Sequence, residues 1–145
     1  MHFIIVTVLA AGAPLVEHAK GVNRLEVEVL GVEEWSGSIR ATLYKGAEGF
    51  PGDSRKAVAA KRVDVKPGAK GFVLVFDGIT AGEYAVSVHH DENGNQEFDT
   101  NWMGIPSEGW GASMDARGSF GPPSYDDAKF DHRGERTKLR ITLEN

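Results

Sequence analysis

The chain contains no cysteine among its 145 residues. This absence excludes disulfide bonds, zinc sites built on thiolates, and cysteine nucleophiles. An excess of basic residues is also lacking: the formal net charge is -5 and the lysines and arginines are scattered, which argues against a nucleic-acid partner. The length fits one domain with a hydrophobic core, and we expect that domain to be a monomer.

No apolar run is long enough to span a bilayer, which needs about 20 apolar residues. The run at residues 3–13 ends in small residues and suits the hydrophobic and cleavage regions of a signal peptide, although a positively charged start is missing. The alternative is a first β-strand at residues 3–9. We favour a signal peptide or its remnant over residues 1–20. The mature domain, residues 21–145, would then be periplasmic or secreted, without a transmembrane segment.

Alternation of apolar and polar residues predicts several β-strands. Residues 23–29 place leucine and valine on one face, the pattern of a half-buried strand in an antiparallel sheet. Further strands are predicted at residues 38–44, 57–65, 84–88 and 137–143. Residues 71–76 are apolar on both faces, which predicts a central strand covered on both sides. With one helical turn near Ser124 as the exception, the pattern predicts an all-β antiparallel sandwich of six or seven strands.

Residues 100–132 lack this alternation and are rich in glycine and proline, so we expect one long loop excursion from the sandwich. Its aromatic residues favour an ordered loop over a disordered one. Trp102, Trp110 and Tyr125 could form a platform for a sugar ring or for an apolar side chain of a partner. The alternative is that these rings form the small core of the loop itself. The platform interpretation makes the protein a carbohydrate-binding module.

Just before this excursion, oxygen-bearing side chains occupy every second position. They are Asp91, Asn93, Asn95, Glu97 and Asp99. This spacing resembles a calcium loop, in which Glu97 would contribute its backbone carbonyl, and a bound Ca²⁺ would anchor the long excursion. Gln96 stands where such loops have glycine, and Trp102 stands where they have glutamate. The alternative is therefore a bare polar turn built on the Asn-Gly pair.

Catalysis has less support in the sequence. His89 and His90 are adjacent on a strand and point to opposite faces, so they cannot easily bind one metal ion. A zinc site from His90, His132 and a carboxylate is a weaker alternative than a packed His90. A hydrolase using the loop acids and His90 would need carboxyl groups with separated pKa values, and a hydrated loop gives no reason for that separation. We expect no enzymatic activity.

Four motifs occur in one order: HDENGN at residues 90–95, DTN at 99–101, GIPSEG at 104–109 and GPPSYDDA at 121–128. In these motifs the chain resembles the exported bacterial family known as domain of unknown function 2141. The resemblance implies a periplasmic or secreted sandwich, similar to Ig-like, prealbumin-like (transthyretin-like) and B-type surface domains, without an established activity. The family pattern has glycine at the position of Gln96. We expect a calcium-stabilised structural or interaction module whose partner is a protein or a glycan.

Overall fold

The computed structural model describes residues 15–95 and 108–145, in which nine strands form two sheets. The strands are β1 (Leu15–Ala19), β2 (Arg24–Leu30), β3 (Ser38–Tyr44), β4 (Ala59–Asp64), β5 (Gly71–Asp77), β6 (Gly82–Asp91), β7 (Trp110–Ala112), β8 (Phe130–His132) and β9 (Arg136–Thr142). One sheet has the order β1-β9-β2-β5. The other has the order β4-β3-β6-β7, with β8 also paired to β6. The β2–β9 pair is parallel and the other pairs are antiparallel. The predicted all-β sandwich is confirmed.

Helical structure in the described ranges consists of three short turns. Two are 3₁₀ turns, Ser54–Lys56 and Ser113–Asp115, and the third is α1 (Tyr125–Ala128). The Ser124 hydroxyl accepts a hydrogen bond from the Asp127 amide at 3.2 Å and so caps α1, as the sequence predicts. None of the helices in these ranges has the length and apolar character needed to cross a membrane.

The core lies between the two sheets and is built from the inward side chains of the alternating strands. Its fully buried members include Leu25, Val27, Val29, Ile39, Leu43, Phe76, Tyr84, Val86, Leu139 and Ile141. Each buried aliphatic or aromatic side chain of this kind contributes about 1.5–3 kcal/mol through loss of apolar surface to water. The predicted inward faces of β2, β3, β6 and β9 are therefore confirmed.

The described chain has nine strands rather than the six or seven predicted. The additional strands are β1, which has five residues, and β7 and β8, which have three residues each and are too short to display alternation. β1 lies inside the segment assigned to a signal peptide, whose first 14 residues fall outside the described ranges. β7 and β8 lie inside the predicted long loop, so part of that excursion is built into the sheet.

The prediction that residues 71–76 form a central strand was wrong, because β5 is the outermost strand of its sheet. It pairs with β2, and no other described strand pairs with it. Phe72, Leu74 and Phe76 face the core, whereas Val73 on the opposite face is 53% exposed. The exposed Val73 made the sequence pattern resemble that of a strand buried on both faces. Periodicity alone does not locate a strand within its sheet.

A second apolar cluster lies on the outer face of the β4-β3-β6-β7 sheet, away from the main core. It consists of Ala85, Ala112, Ala116 and Ala128, with Phe50 and Tyr125 packed against them. The hydroxyls of Tyr44 and Ser87 both donate to the Pro51 carbonyl, at 3.1 and 3.0 Å. These contacts fasten the loop at residues 46–53 over this end of the outer face.

Candidate functional site

Strand β6 carries the first residues of the candidate site at its C-terminal end. Alternation directs His90 into the interior, where it is fully buried, and directs His89 and Asp91 to the outer face. Asp91 is nevertheless only 5% exposed. The opposite orientation of the two histidines is the one that their adjacency predicts.

His90 links the start of the acidic loop to the segment that precedes β3. Its Nε2 donates to the Ser36 carbonyl at 2.8 Å, and its Nδ1 lies 3.7 Å from a Glu92 carboxylate oxygen. The Ser36 hydroxyl donates to the Glu92 carbonyl at 3.0 Å. Gly37 has φ +68°, and a Cβ there would collide with the Asp91 carbonyl, so glycine permits this close approach. His90 therefore holds the start of the acidic loop against the segment that precedes β3.

Glu108 closes the loop that separates β6 from β7. Its Oε1 lies 3.0 Å from His89 Nε2, and its Oε2 accepts a hydrogen bond from the Glu92 amide at 2.8 Å. The Glu108 side chain is only 4% exposed. A buried carboxylate needs such partners, and here they join the residues on either side of the loop. The sequence reasoning did not single out Glu108, although it is the one acid in the GIPSEG motif.

The predicted calcium ligands are only partly described. The Asn93 side-chain oxygen accepts a hydrogen bond from the Asn95 amide at 3.1 Å, and Gly94 has φ +72°, so the backbone curls at this point. Glu97 and Asp99 lie outside the described residues. Within residues 15–95 and 108–145, no group of three or more histidine and acidic side chains is arranged to hold a metal ion. The calcium site stays a prediction.

Trp110 lies beside this loop. It is partly buried on β7, where it is directly opposite His89. Its amide donates to the Glu144 carbonyl at 3.0 Å, and its carbonyl accepts from the Glu144 amide at 2.7 Å. Trp110 thus connects β6 to the chain that follows β9, and its position next to the loop agrees with either a binding or a structural role.

Tyr125 lies elsewhere. It packs edge-on against Phe50, with ring centroids 6.1 Å apart, in the second apolar cluster. Burial raises the pKa of Tyr125, with a further contribution from the nearby Glu83 carboxylate. The second apolar cluster also contains Ala112, which lies two residues from Trp110 on β7. Among the described residues the Tyr125 ring contacts Phe50 and makes no ring contact with Trp110. Trp102 lies outside the described residues, so the shared platform stays a prediction.

The zinc alternative is wrong, because His132 and His90 lie near opposite ends of β6. His132 is paired with Gly82, and eight residues of strand separate Gly82 from His90, roughly 26 Å. His132 is buried, and its two ring nitrogens lie 2.9 Å from Thr137 Oγ1 and 2.9 Å from Asn23 Oδ1. Burial lowers the pKa of His132. In the described structure its ring packs in the interior and links Thr137 to Asn23 through hydrogen bonds.

The outer face of the β4-β3-β6-β7 sheet also contains an open cavity of about 240 Å³. Its lining residues are Ser38, Arg40, Ala60, Lys61, Arg62, His89 and Asp91. In the strand register, Arg40 on β3 lies directly between Arg62 on β4 and His89 on β6. We call this site the outer-face cavity. The sequence reasoning did not predict it, because strand pairing brings these side chains together.

The fold and these contacts define a small all-β sandwich module in which Glu108, before β7, is hydrogen-bonded to the Glu92 amide just after β6. Residues 27–140 match the family described as "Uncharacterized protein conserved in bacteria (DUF2141)", and the chain belongs to that family. The predicted family membership is thereby confirmed. No curated protein and no solved structure matches the chain, and the likeness to transthyretin-like domains stays a prediction.

Proposed function

We propose that this chain is a non-catalytic, exported β-sandwich module that binds a partner through the loop between β6 and β7, and that Ca²⁺ stabilises this loop. The main observation in support of the proposal is the position of the Glu108 carboxylate. It contacts His89 and Glu92 and so joins the two ends of the segment between β6 and β7. Compact loops whose ends are held together frequently carry function, because a rigid scaffold presents them to solvent.

The spacing of oxygen atoms supports calcium as the stabilising ion. Asp91 stands at the end of β6, and the Asx turn at Asn93 begins the curl that a calcium loop requires. Asp91, Asn93, Asn95 and Asp99 would contribute side-chain oxygens, and Glu97 its carbonyl. Water or the rest of the loop would complete the coordination.

The residue at the sixth loop position limits the affinity that we expect. A residue with a Cβ, such as Gln96, costs about 1–2 kcal/mol in the left-handed conformation that glycine adopts freely. Weak sites are nevertheless normal for extracellular modules, which bind calcium at about 10⁻⁴–10⁻³ M. We therefore propose a site in this range.

A non-catalytic role is supported by the burial and hydrogen bonds of His90, on which the hydrolase alternative depends, and of Ser113, a serine that could otherwise be considered as a nucleophile. His90 is fully buried and donates to the Ser36 carbonyl. Ser113 is also fully buried; its hydroxyl donates to the Ala128 carbonyl and accepts from the Val86 amide. Neither group is available to a substrate in this arrangement, which gives the hydrolase alternative less support.

Export is proposed from the apolar segment at residues 3–13. Strand β1 pairs with β9 from residue 15 onward. A signal peptide removed before residue 15 would leave this strand and the whole sandwich in the mature protein. The mass of the mature chain purified from its host measures the cleavage position directly.

A two-dimensional ¹H–¹⁵N NMR titration of the metal-free chain with CaCl₂ tests the calcium site. We expect saturable shifts of the Asn93 and Asn95 amides, with a Kd of about 10⁻⁴–10⁻³ M. Asp99→Asn should weaken binding by at least about tenfold, because a hard cation loses a charged ligand. Asp64→Asn is the matched control: its side chain is 80% exposed on β4, and calcium affinity should not change. Equal affinities of the two variants would refute the proposed ligand set.

A further inference from the structure

The register of the β4-β3-β6-β7 sheet places two guanidinium groups side by side and a histidine next to them. Arg62, Arg40 and His89 lie directly opposite one another on three adjacent strands, and all three line the outer-face cavity. Like charges at directly opposed positions of an antiparallel sheet destabilise the pairing. Arg40 and Arg62 therefore repel each other unless an anion lies between them.

The acids of the described chain compensate this charge only in part. Arg62 lies 3.6 Å from Asp64, with both side chains more than half exposed, so that this pair is weak. Arg40 is partly buried and forms no ion pair or side-chain hydrogen bond in the structure as described. Arg40 and Arg62 are the guanidinium groups on the cavity face, whereas Lys61 is paired with the core-facing Ala41 and belongs to the opposite face of β4. Asp91 is the acid among the lining residues. Arg40 thus lies at the cavity without an ion-pair partner among the described residues.

The dimensions of the cavity indicate what it can hold. Its volume, about 240 Å³, lies below the roughly 300–1,000 Å³ of pockets that enclose drug-sized ligands. A guanidinium presents its donors in a planar fork that matches the two oxygens of a carboxylate or phosphate. The buried Ser38 lines the same wall and adds a hydroxyl donor.

We propose that the outer-face cavity binds the oxyanion group of a ligand, a phosphate or a carboxylate, with Arg40 as the principal contact and Arg62 and Ser38 as the flanking ones. This site lies on the sheet, where Asp91, one of the proposed calcium ligands, also lines the cavity. The residues proposed to hold the anion, Arg40, Arg62 and Ser38, are not calcium ligands, so the proposal goes beyond the function of the loop. The anion replaces the missing counter-charge of Arg40 and removes its repulsion with Arg62.

An NMR titration of the whole chain tests this site. Sodium phosphate and sodium glucuronate are added separately, at constant ionic strength and in metal-free buffer, so that the result does not depend on calcium. We expect saturable shifts of the Ser38, Arg40 and Arg62 amides and of the Arg40 side-chain N–H. A response to phosphate alone identifies a phosphate group as the ligand, and a response to glucuronate alone identifies a carboxylate.

Arg40→Gln should raise the Kd of the active anion at least tenfold, and Arg62→Gln should raise it by a smaller factor. Lys20→Gln removes one positive charge at the exposed residue that follows β1, on the other sheet, and should leave the Kd unchanged. In anion-free buffer Arg40→Gln should unfold at a temperature no lower than the wild type, because it relieves repulsion. The proposal is overturned if neither anion gives saturable shifts, or if Arg40→Gln and Lys20→Gln weaken binding equally.

Discussion

Glu108 Oε1 lies 3.0 Å from His89 Nε2, a contact between residues 19 positions apart in the chain. The same carboxylate accepts the Glu92 amide, so that the loop is closed by protein atoms on its β6 side. The Glu108 contacts are thus an anchor within the protein, and the cation is a further, proposed anchor. Because the two anchors use different residues, they are separable by mutation.

Replacement of Glu108 by alanine should destabilise the fold. The substitution removes the carboxylate that accepts from the Glu92 amide and contacts the His89 ring, and we expect a loss of about 1–3 kcal/mol in the free energy of unfolding. Urea denaturation measures this loss. Hydrogen exchange at the Glu92 amide should accelerate in the variant, which reports the opening of the loop itself.

The control for Glu108→Ala is Glu48→Ala. The Glu48 side chain is 81% exposed and lies 3.2 Å from Lys56, so its removal should cost no more than about 1 kcal/mol. If the two variants had the same urea midpoint and the Glu92 amide stayed protected in both, Glu108 would not close the loop.

Stability should decrease as the pH falls below that of neutral solution. Burial holds the pKa of His132 below its ordinary value of 6.5, so the unfolded chain takes up the proton first. The stabilising contribution is complete above the unfolded pKa and is lost as the pH falls toward the folded pKa. Urea midpoints at about pH 7.5 and about pH 5.5 measure this dependence.

His132→Gln tests the source of the pH dependence, because glutamine does not titrate. The difference between the two midpoints should be smaller in the variant than in the wild type. It should not vanish, since burial also lowers the pKa of His18, which lies 3.3 Å from Thr137 in the same hydrogen-bonded group. An undiminished difference would assign the pH dependence to other residues.

The edge position of β5 predicts contrasting effects at two nearby positions. Val73→Thr changes a side chain that is 53% exposed, and we expect a change within about 0.5 kcal/mol. Phe76→Ala empties a position that is 1% exposed and should cost about 3–5 kcal/mol. Chemical denaturation of both variants gives these values. A loss above about 1.5 kcal/mol for Val73→Thr would mean that another surface covers the outer side of this strand.

The strands that could be predicted from the sequence are those with clear alternation. β2 and β3 are examples, since apolar residues recur at every second position, Leu25, Val27 and Val29 in one and Ile39, Ala41 and Leu43 in the other, and all become buried. β7 and β8 could not be predicted in this way. They have three residues each, and their pairing with β6 arises from tertiary packing instead of a local pattern.

The candidate site, like the strands, could be predicted only where a local sequence pattern determines the structure. The alternation of side chains along a strand correctly placed His89 and His90 on opposite faces of the sheet, because the orientation of neighbouring residues on a strand is a local property. The roles of Glu108, Arg40 and Arg62 depend on contacts between segments distant in sequence. No local spacing of these residues indicates that Arg40 would lie opposite Arg62.

Thermal unfolding of the chain in metal-free buffer and in excess calcium tests the central claim most directly. At about tenfold excess over Kd, calcium should add about 1.4 kcal/mol and raise the midpoint by about 5 °C. Asp99→Asn should lose this increase, whereas Asp64→Asn should retain it. An unchanged wild-type midpoint at about 10 mM calcium would contradict the account of a cation-stabilised loop.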